Sequence, residues 1–358
     1  MDRWGKKLGN GTNLKNKRMI ITTRFFIGID ISKPFFDATL LAVVNHVKQG
    51  FETSRFENNI AGMKLFEKWL RFHKVTMDEQ SLVVIENTGI YHRLLWAFCG
   101  KKHLPIHIGN AAHIKWSFGI ARGKNDKIDS IRLCSYAYKE SETLKATAVL
   151  DPNLLHLKDF ISTRTKLLKQ VASIKVSVNE LEGINDKSHQ KRVGQSLKAA
   201  IDGITKSITS IEHQIKKIIA ENEAFKRNYD LLVSIPGIGH ITAVYLIGCT
   251  ANFAGNPSGK QLACYAGVAP FEHSSGISVK GKTRVHRMAN KDLKKLLHLC
   301  ALSAIQYNME IKIYYNRKKD EGKHSMSIIN AVRNKIVLRV AAVIKSQAPY
   351  KNNYKIAA

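Results

Sequence analysis

Residues 24–43 read RFFIGIDISKPFFDATLLAV, two strongly apolar runs joined by a short turn. This pattern predicts a strand, a turn and a second strand. The chain then alternates between strand-like and helix-like stretches. We predict further strands near 51–56, at 81–86 (SLVVIE) and at 104–109 (LPIHIG), and helices at 60–72, 90–99 and 127–140. Strands followed by strand–helix alternation indicate an α/β domain with a mixed sheet.

Beyond about residue 150 the sequence predicts helices and no further strands. Two stretches carry apolar residues that step by four and three positions in turn, as in a coiled-coil seam. The seams consist of Leu167, Val171, Ile174, Val178 and Leu181, and of Leu197, Ile201, Ile204, Ile208, Ile211, Ile215 and Ile218. A polar break at 185–192 allows the two helices to fold back on each other or to pair with another subunit. The strictness of the second repeat favours a contact between subunits.

The C-terminal part contains IPGIG (235–239) between two apolar helical stretches, and basic helices extend to about residue 346. This segment resembles the turn of a helix-hairpin-helix element, in which Gly237 and Gly239 would let backbone N–H groups approach a DNA phosphate. A simple tight turn is the alternative. The patterns divide the chain into a basic flexible tail (1–24), an α/β domain (25–150), a helical hairpin (151–228), a C-terminal helical domain (229–346) and a second tail (347–358).

The formal net charge of +29 over 358 residues indicates a polyanionic partner, and nucleic acid is the first candidate. An anionic membrane surface competes, but the sequence has no run of about 18 apolar residues and no signal-peptide pattern. No two cysteines form a CxxC pair, so neither a zinc knuckle nor a disulfide framework is indicated. Buried free thiols are expected, which fits a reducing cytoplasm.

Four acids stand out by their positions in these patterns. Asp30 lies in an apolar strand, Glu86 closes another strand, and Asp126 and Asp129 share a face at the start of a predicted helix. The last two also fit acids favoured by the helix dipole. Three separate segments that each present an acid at a strand end or helix start form a stronger signal than any one of them. Carboxylate oxygens are ligands that Mg²⁺ prefers, and paired ions of this kind act on phosphodiesters.

A fifth candidate lies in EHSSGISVKGK (272–282), where two serines precede a glycine and a basic run. One interpretation is a polar turn before a solvated helix. The other is a serine nucleophile aimed at a phosphate, which needs its proton removed or its target polarised. The residues alone leave both interpretations open.

Together these segments resemble a known family. GIDISK (28–33), IENTGIY (85–91) and KNDKIDS (124–130) are similar to the three motifs of the DEDD insertion-sequence transposases, the IS one-ten and IS eleven-eleven group, which includes the Piv-type DNA invertases. IPGIG, QLACYAGVAP, HSSG and KDLKKLLHLCAL follow the order of that family's second domain. The resemblance covers roughly residues 25–345. One departure is Ala289, where the family usually has a glycine.

The resemblance implies an RNase H-like, resolvase-like N-terminal domain in which Asp30, Glu86, Asp126 and Asp129 hold Mg²⁺. It implies that Ser275 is the nucleophile and forms a phosphoserine link to DNA, with Ser274 as the alternative. It also implies a composite site in an oligomer, with a tetramer joining two DNAs. In this family a structured RNA encoded by the element pairs with donor and target DNA. The resemblance also implies a location in a bacterial or archaeal cytoplasm, at the nucleoid.

Basic residues flank the candidate site in sequence and are candidates to hold the DNA backbone. They are Lys33, Arg122 and Lys124 near the acids, and Lys280, Lys282, Arg284 and Arg287 after the serine. A solvated charged face is the alternative for each. Two other functions compete with a serine-using recombinase. A hydrolytic junction nuclease needs the acids but not Ser275, and a non-catalytic nucleic-acid-binding protein needs neither.

Overall fold

A computed structural model describes residues 23–87, 89–118, 126–149, 151–181, 187–275, 279–285 and 289–352. The chain divides into two compact units, Met1–Val149 and Leu150–Ala358. Most of the predicted basic tail, residues 1–22, lies outside the described part. Within the described residues, no helix combines the length and apolar character needed to cross a membrane.

In its described residues, the first unit contains a five-stranded sheet and four helices. Its elements are β1 (Thr23–Ile31), β2 (Phe35–Val44), β3 (Val47–Glu57), α1 (Ile60–Phe72), β4 (Ser81–Glu86), α2 (Arg93–Lys101), β5 (Ile106–Gly109), α3 (Ala111–Ser117) and α4 (Asp126–Lys139). The strand order is β3-β2-β1-β4-β5. β1 pairs antiparallel with β2, and β2 with β3, whereas β4 is parallel to both β1 and β5. The predicted α/β class with a mixed sheet is confirmed.

The two faces of this sheet carry different helices. On one face α1 packs an aromatic cluster against the strands, in which the Phe66 ring meets Phe36 and Phe56 at centroid distances of 5.4 and 5.3 Å. Asn59 caps α1 by accepting a hydrogen bond from the Gly62 N–H at 2.8 Å. On the other face α4 packs against β1, β2 and β4. The segment that opened the sequence analysis therefore forms the centre of the sheet, buried on both faces.

The second unit is mainly helical. Its elements are α5 (Pro152–Glu180), α6 (Lys187–Glu221), α7 (Glu223–Val233), α8 (His240–Cys249), α9 (Gly259–Tyr265), β6 (Phe271–Ser275), β7 (Val279–Arg284), α10 (Lys291–Tyr307), α11 (Met309–Asp320) and α12 (Ser325–Ser346). The prediction that strands end near residue 150 is wrong, because β6 and β7 form an antiparallel pair. Their sequences carry little apolar alternation, so the pattern of hydrophobic residues does not reveal them.

The two helices with the heptad seams lie against each other within the chain. Arg164 of α5 donates to Glu212 of α6 at 2.7 Å, and a Cβ added to Gly194 of α6 would lie 3.6 Å from a methyl of Val178 on α5. The start of α6 therefore adjoins the end of α5, and the helices run antiparallel. Ile208 and Ile215 of the second seam are buried, whereas the first seam is only partly buried.

Candidate active site

Asp30 and Glu86 lie at the carboxyl ends of neighbouring parallel strands. Ile29 of β1 pairs with Ile85 of β4 in the last step of the parallel register, so Asp30 and Glu86 follow side by side. Residues paired in this way share a face of the sheet. Both residues are partly buried, and each makes further interactions with its surroundings. The sheet therefore brings together two of the four acids that the sequence singled out.

Close packing at Gly28 fixes the position of α4 on this face. A Cβ added to Gly28 would lie 1.9 Å from the Cys134 backbone nitrogen and 2.3 Å from the Ser130 carbonyl oxygen. One turn toward the C-terminus of α4, the Cys134 thiol donates to the Phe26 carbonyl oxygen at 3.1 Å. Because Cys134 lies beside Phe26 and Ser130 beside Gly28, α4 runs antiparallel to β1. The first turn of α4 therefore lies toward the Asp30 end of β1.

The other two acids belong to that first turn. The backbone of Asp126 begins α4, and its side chain lies outside the described part of the structure. Asp129 accepts a hydrogen bond from Arg132 at 2.9 Å, with the carboxylate partly exposed. Among the described side chains, no three His, Cys, Asp or Glu residues form a group able to hold a metal. The side chain of Asp126 is not among these, because it lies outside the described part of the structure.

Asp37 is a further acid that the sequence analysis missed. It lies directly opposite Asp30 in the antiparallel register of β1 and β2, and it is only 5% exposed. Arg55 of β3 donates to both of its oxygens, from Nε at 3.0 Å and from Nη2 at 2.7 Å. An acid inside the apolar run FFDATLLAV was the available signal, the same one that singled out Asp30. Arg55 balances the charge of this buried carboxylate.

The flanking cations are described only in part. Lys33 is exposed in the turn between β1 and β2. Arg122, Lys124 and Arg287 lie outside the described residues. Lys280, Lys282 and Arg284 belong by their backbone to β7, and their side chains are likewise outside the description.

Ser275 is the last residue of β6, in the serine hairpin, the name used below for β6, β7 and the segment between them. In the backbone register Ser275 pairs with Val279 and Ser274 pairs with Lys280. The segment that the sequence suggested as a turn therefore continues a strand as far as Ser275.

The start of α10 is tied to α8 and α9 through Asn290. Asn290 caps α10 by accepting from the Leu293 N–H at 2.9 Å, accepts from the Tyr245 hydroxyl at 3.0 Å and donates to the Tyr265 hydroxyl at 3.0 Å. Burial raises the pKa of Tyr245 to about 12 and also raises that of Tyr265, so both hydroxyls keep their protons at neutral pH.

Ala289, the one departure from the family pattern, packs on the segment that precedes the hairpin. A Cβ added to Gly267 would lie 2.4 Å from the Cβ of Ala289. Gly267 also has a φ of +64°, which favours glycine. The methyl group of Ala289 is therefore accommodated by the absence of a side chain at Gly267.

The two glycines of IPGIG have different surroundings. Gly237 has a φ of +92°, and a Cβ there would lie 2.4 Å from the Cys300 carbonyl oxygen on α10. Its position is thus explained by the turn and by packing on α10. Gly239 is exposed and precedes α8 as its N-cap, and a Cβ added there would have no atom within 4 Å.

A five-stranded mixed sheet with acids at the carboxyl ends of two parallel strands is consistent with the catalytic domain of a DEDD transposase. A transposase family model described as DEDD of the IS110 type matches residues 27–181, and the transposase IS116/IS110/IS902 family model matches residues 229–316. The chain belongs to the IS110 family of transposases. A transposase acts on DNA, which agrees with the charge of +29.

Known relatives extend the same finding. The pilin gene-inverting protein of Moraxella bovis is 30% identical over 342 residues, which cover 92% of this chain and 98% of the relative. The transposase for insertion sequence element IS1111A of Coxiella burnetii is 21% identical, and the match covers 73% of each chain. A 43.6 kDa protein of insertion element IS110 from Streptomyces coelicolor is 28% identical over 43% of this chain and 40% of its own. The family resemblance stated from the motifs is confirmed.

Proposed function

We propose that this protein cuts and rejoins DNA strands through a covalent serine–phosphate link, using a carboxylate site that holds Mg²⁺. The observation that carries the proposal is the arrangement at one end of the sheet. Asp30 and Glu86 lie at the carboxyl ends of adjacent parallel strands, and the first turn of α4, with Asp126 and Asp129, lies toward that same end. Ligand sites of open α/β sheets form at the carboxyl ends of parallel strands.

The sheet itself supports an RNase H-like assignment for the first unit. On one side of the sheet, β3 is antiparallel to β2, and β2 is antiparallel to β1. On the other side of β1, β4 and β5 are parallel to it. The central strand carries the first acid of the motif, and the neighbouring parallel strand carries the second.

The donor set fits a hard divalent cation. Asp30, Glu86, Asp126 and Asp129 would supply only carboxylate oxygens, the ligand type that Mg²⁺ prefers. A bound divalent cation would offset the charge of the scissile phosphate and of the leaving oxygen. Asp37, which lies opposite Asp30, is neutralised by its ion pair with Arg55. It therefore adds no net negative charge to the proposed cation site.

The serine supplies the covalent step. The Ser275 hydroxyl oxygen attacks the phosphorus, the bond from phosphorus to the leaving deoxyribose oxygen breaks, and a proton is lost from the serine while the leaving oxygen gains one. The product is a phosphodiester between serine and DNA, which conserves a bond for rejoining to another strand. The near full-length similarity to a gene-inverting protein supports a reaction that rejoins strands.

We propose that the flanking cations contact the DNA backbone and that the exposed N-terminus of α8, at Gly239, approaches a phosphate. These cations are Lys33, Arg122, Lys124, Lys280, Lys282, Arg284 and Arg287.

Sequence choice is proposed to reside in an element-encoded guide RNA. Phosphate contacts confer no sequence preference, and base pairing supplies it where a protein delegates recognition to RNA. The charge of the chain supports both nucleic-acid partners, DNA and RNA.

We also propose that the heptad helices α5 and α6 form a coiled coil whose partly buried first seam contributes to a homodimer, and that two dimers assemble into a tetramer.

The test is the covalent adduct. Purified protein is incubated with Mg²⁺, end-labelled DNA that carries the element junction and target, and RNA transcribed from the element's flank. Labelled protein is then sought on a denaturing gel. We expect an adduct in the wild type and in Ser274→Ala, and none in Ser275→Ala or Asp30→Asn.

Each other outcome contradicts a particular part of the proposal. Cleaved DNA without an adduct, unaffected by Ser275→Ala, would mean a hydrolytic nuclease. An adduct lost in Ser274→Ala but kept in Ser275→Ala would move the nucleophile by one residue. An adduct that forms equally well without the RNA would remove the guide RNA from the proposal.

A further inference from the structure

Arg333 of α12 is a buried cation without a carboxylate partner among the described side chains. The residue is only 6% exposed. Its Nη2 donates to Nδ1 of His298 on α10 at 2.5 Å, and its Nε makes no hydrogen bond. A buried charge is costly unless an opposite charge or hydrogen bonds offset it. A buried guanidinium with a donor left over can be stabilised by an anion.

Two further donors lie beside Arg333. His298 accepts from Arg333 through Nδ1, so its other ring nitrogen, Nε2, carries the proton in the neutral ring. Burial, with Arg333 as the second cause, lowers the pKa of His298 and also that of Lys294, one turn earlier on α10. Burial is the larger cause of both shifts, and the charge of Arg333 adds to it. Lys294, His298 and Arg333 are called the Arg333 cluster below.

The cluster lies at the base of the serine hairpin. The side chain of Lys294 adjoins Gly267, since a Cβ there would lie 3.7 Å from the Lys294 Cδ. Asn330, one turn before Arg333 on α12, donates to the Val268 carbonyl oxygen at 3.0 Å. The chain segment that enters β6 is therefore held between α10 and α12, with Lys294 beside it. The segment that leaves β7 reaches the same place, at Ala289 and Asn290.

We propose that the Arg333 cluster binds a nucleic-acid phosphodiester at the base of the serine hairpin. An arginine, a lysine and a histidine N–H supply the charge and the donors that a phosphate group accepts. The inference rests on the proposed function for the identity of the polyanion. It adds a backbone contact, next to the hairpin that carries Ser275, from a helix that the sequence motifs do not include.

The test is the salt dependence of nucleic-acid binding by the full-length protein. A fluorescein-labelled DNA duplex and a fluorescein-labelled RNA hairpin are titrated separately at several KCl concentrations, with anisotropy as the readout. Lys294→Gln is expected to weaken binding roughly tenfold and to reduce the slope of log K against log [KCl] by about one unit, the value for one lost phosphate contact. The arm in which the slope falls identifies the nucleic acid.

Lys295→Gln is the matched control. It removes the same charge one residue away, from an exposed lysine that pairs with Asp292 at 3.7 Å. We expect its affinity and slope to stay near the wild type. A slope that falls equally in Lys294→Gln and Lys295→Gln would mean a diffuse basic surface and would overturn the site.

Arg333→Met separates binding from structure. An arginine kept for a ligand leaves an uncompensated charge in the free protein, so its loss is expected to leave the melting temperature unchanged or raise it while binding weakens. A lower melting temperature together with unchanged binding in both Arg333→Met and Lys294→Gln would overturn the inference. The adduct assay tests the proposed function separately from this inference. A wild type that forms no adduct would contradict the proposed function, while the salt slopes of the variants would still show whether the Arg333 cluster binds a phosphate.

Discussion

Asp37 lies directly opposite Asp30 across the central strands, and Arg55 holds its buried carboxylate with two hydrogen bonds. The acid that the family motif identifies thus has a second acid as its cross-strand neighbour. Like charges in such a position destabilise a sheet. The guanidinium of Arg55, stacked 3.9 Å from the centre of the Phe35 ring, neutralises Asp37.

Removing Arg55 is expected to destabilise the first unit. Arg55→Met leaves the Asp37 carboxylate buried without its partner, which costs about 1 to 3 kcal/mol of unfolding free energy in urea titrations. Asp37→Asn in the same background should recover part of the loss, because the charge is gone. Arg71→Met is the control, since its partner Glu67 keeps Lys102 at 2.7 Å. An Arg55→Met loss no larger than that of the control would contradict the role of the pair.

Gly28→Ala is expected to disturb the contact between α4 and β1. The added methyl would meet the backbone of Cys134 and Ser130, which cannot move without shifting the helix. Overpacking of this kind costs about 1 to 3 kcal/mol, measured by chemical denaturation, and strand cleavage should fall with it. Gly50→Ala, on β3 with no atom within 4 Å of the new methyl, should be close to neutral. Equal stability of the two variants would show that α4 does not depend on Gly28.

The two glycines of IPGIG should respond differently to alanine. Gly237→Ala forces a side chain onto a φ of +92° and against the Cys300 carbonyl oxygen, so the melting temperature should fall by several degrees. Gly239→Ala has space and an ordinary φ of −92°, so the protein should stay folded. If the N-terminus of α8 approaches a phosphate, Gly239→Ala weakens DNA binding in anisotropy titrations. Unchanged binding would leave the segment as a tight turn only.

Stability should decline in mild acid through His240. Its Nδ1 lies 3.0 Å from the Tyr229 hydroxyl and its Nε2 is buried without a hydrogen bond. Burial, with the nearby cation Lys216 next in size, lowers the pKa of His240 below its ordinary value of 6.5. Below pH 6.5 the unfolded chain binds a proton at this histidine that the folded chain does not. The free energy of unfolding therefore falls as the pH is lowered from 6.5 to the pKa of His240 in the folded protein.

The corresponding measurement is the melting temperature between pH 5 and 8 for wild type and His240→Gln. One such group contributes up to about 1.4 kcal/mol per pH unit. The variant should show a shallower decline, with the remainder arising partly from His298, whose pKa is lowered too. Identical pH profiles would mean that His240 takes up a proton in the folded protein as readily as in the unfolded chain.

Local pattern was sufficient for much of the fold. The apolar runs of 24–43 and SLVVIE predicted strands, and the helix that begins at Asp126 was predicted within one residue. The family motifs and their order pointed to the class of enzyme. The acids were recognised because a charge in or beside an apolar strand is unusual, which is a property of the sequence itself.

Only the tertiary structure decided which of these residues are neighbours. The pairing of Asp30 with Asp37, the step from Ile29 and Ile85 to Asp30 and Glu86, and the approach of α4 to Gly28 depend on strand order and register, which residues far apart in the chain determine together. The serine hairpin was missed because backbone pairing, rather than an apolar face, defines it. Arg333 was missed for a related reason. An arginine in a basic helix looks solvated in the sequence, and only the packing of α12 against α10 buries it.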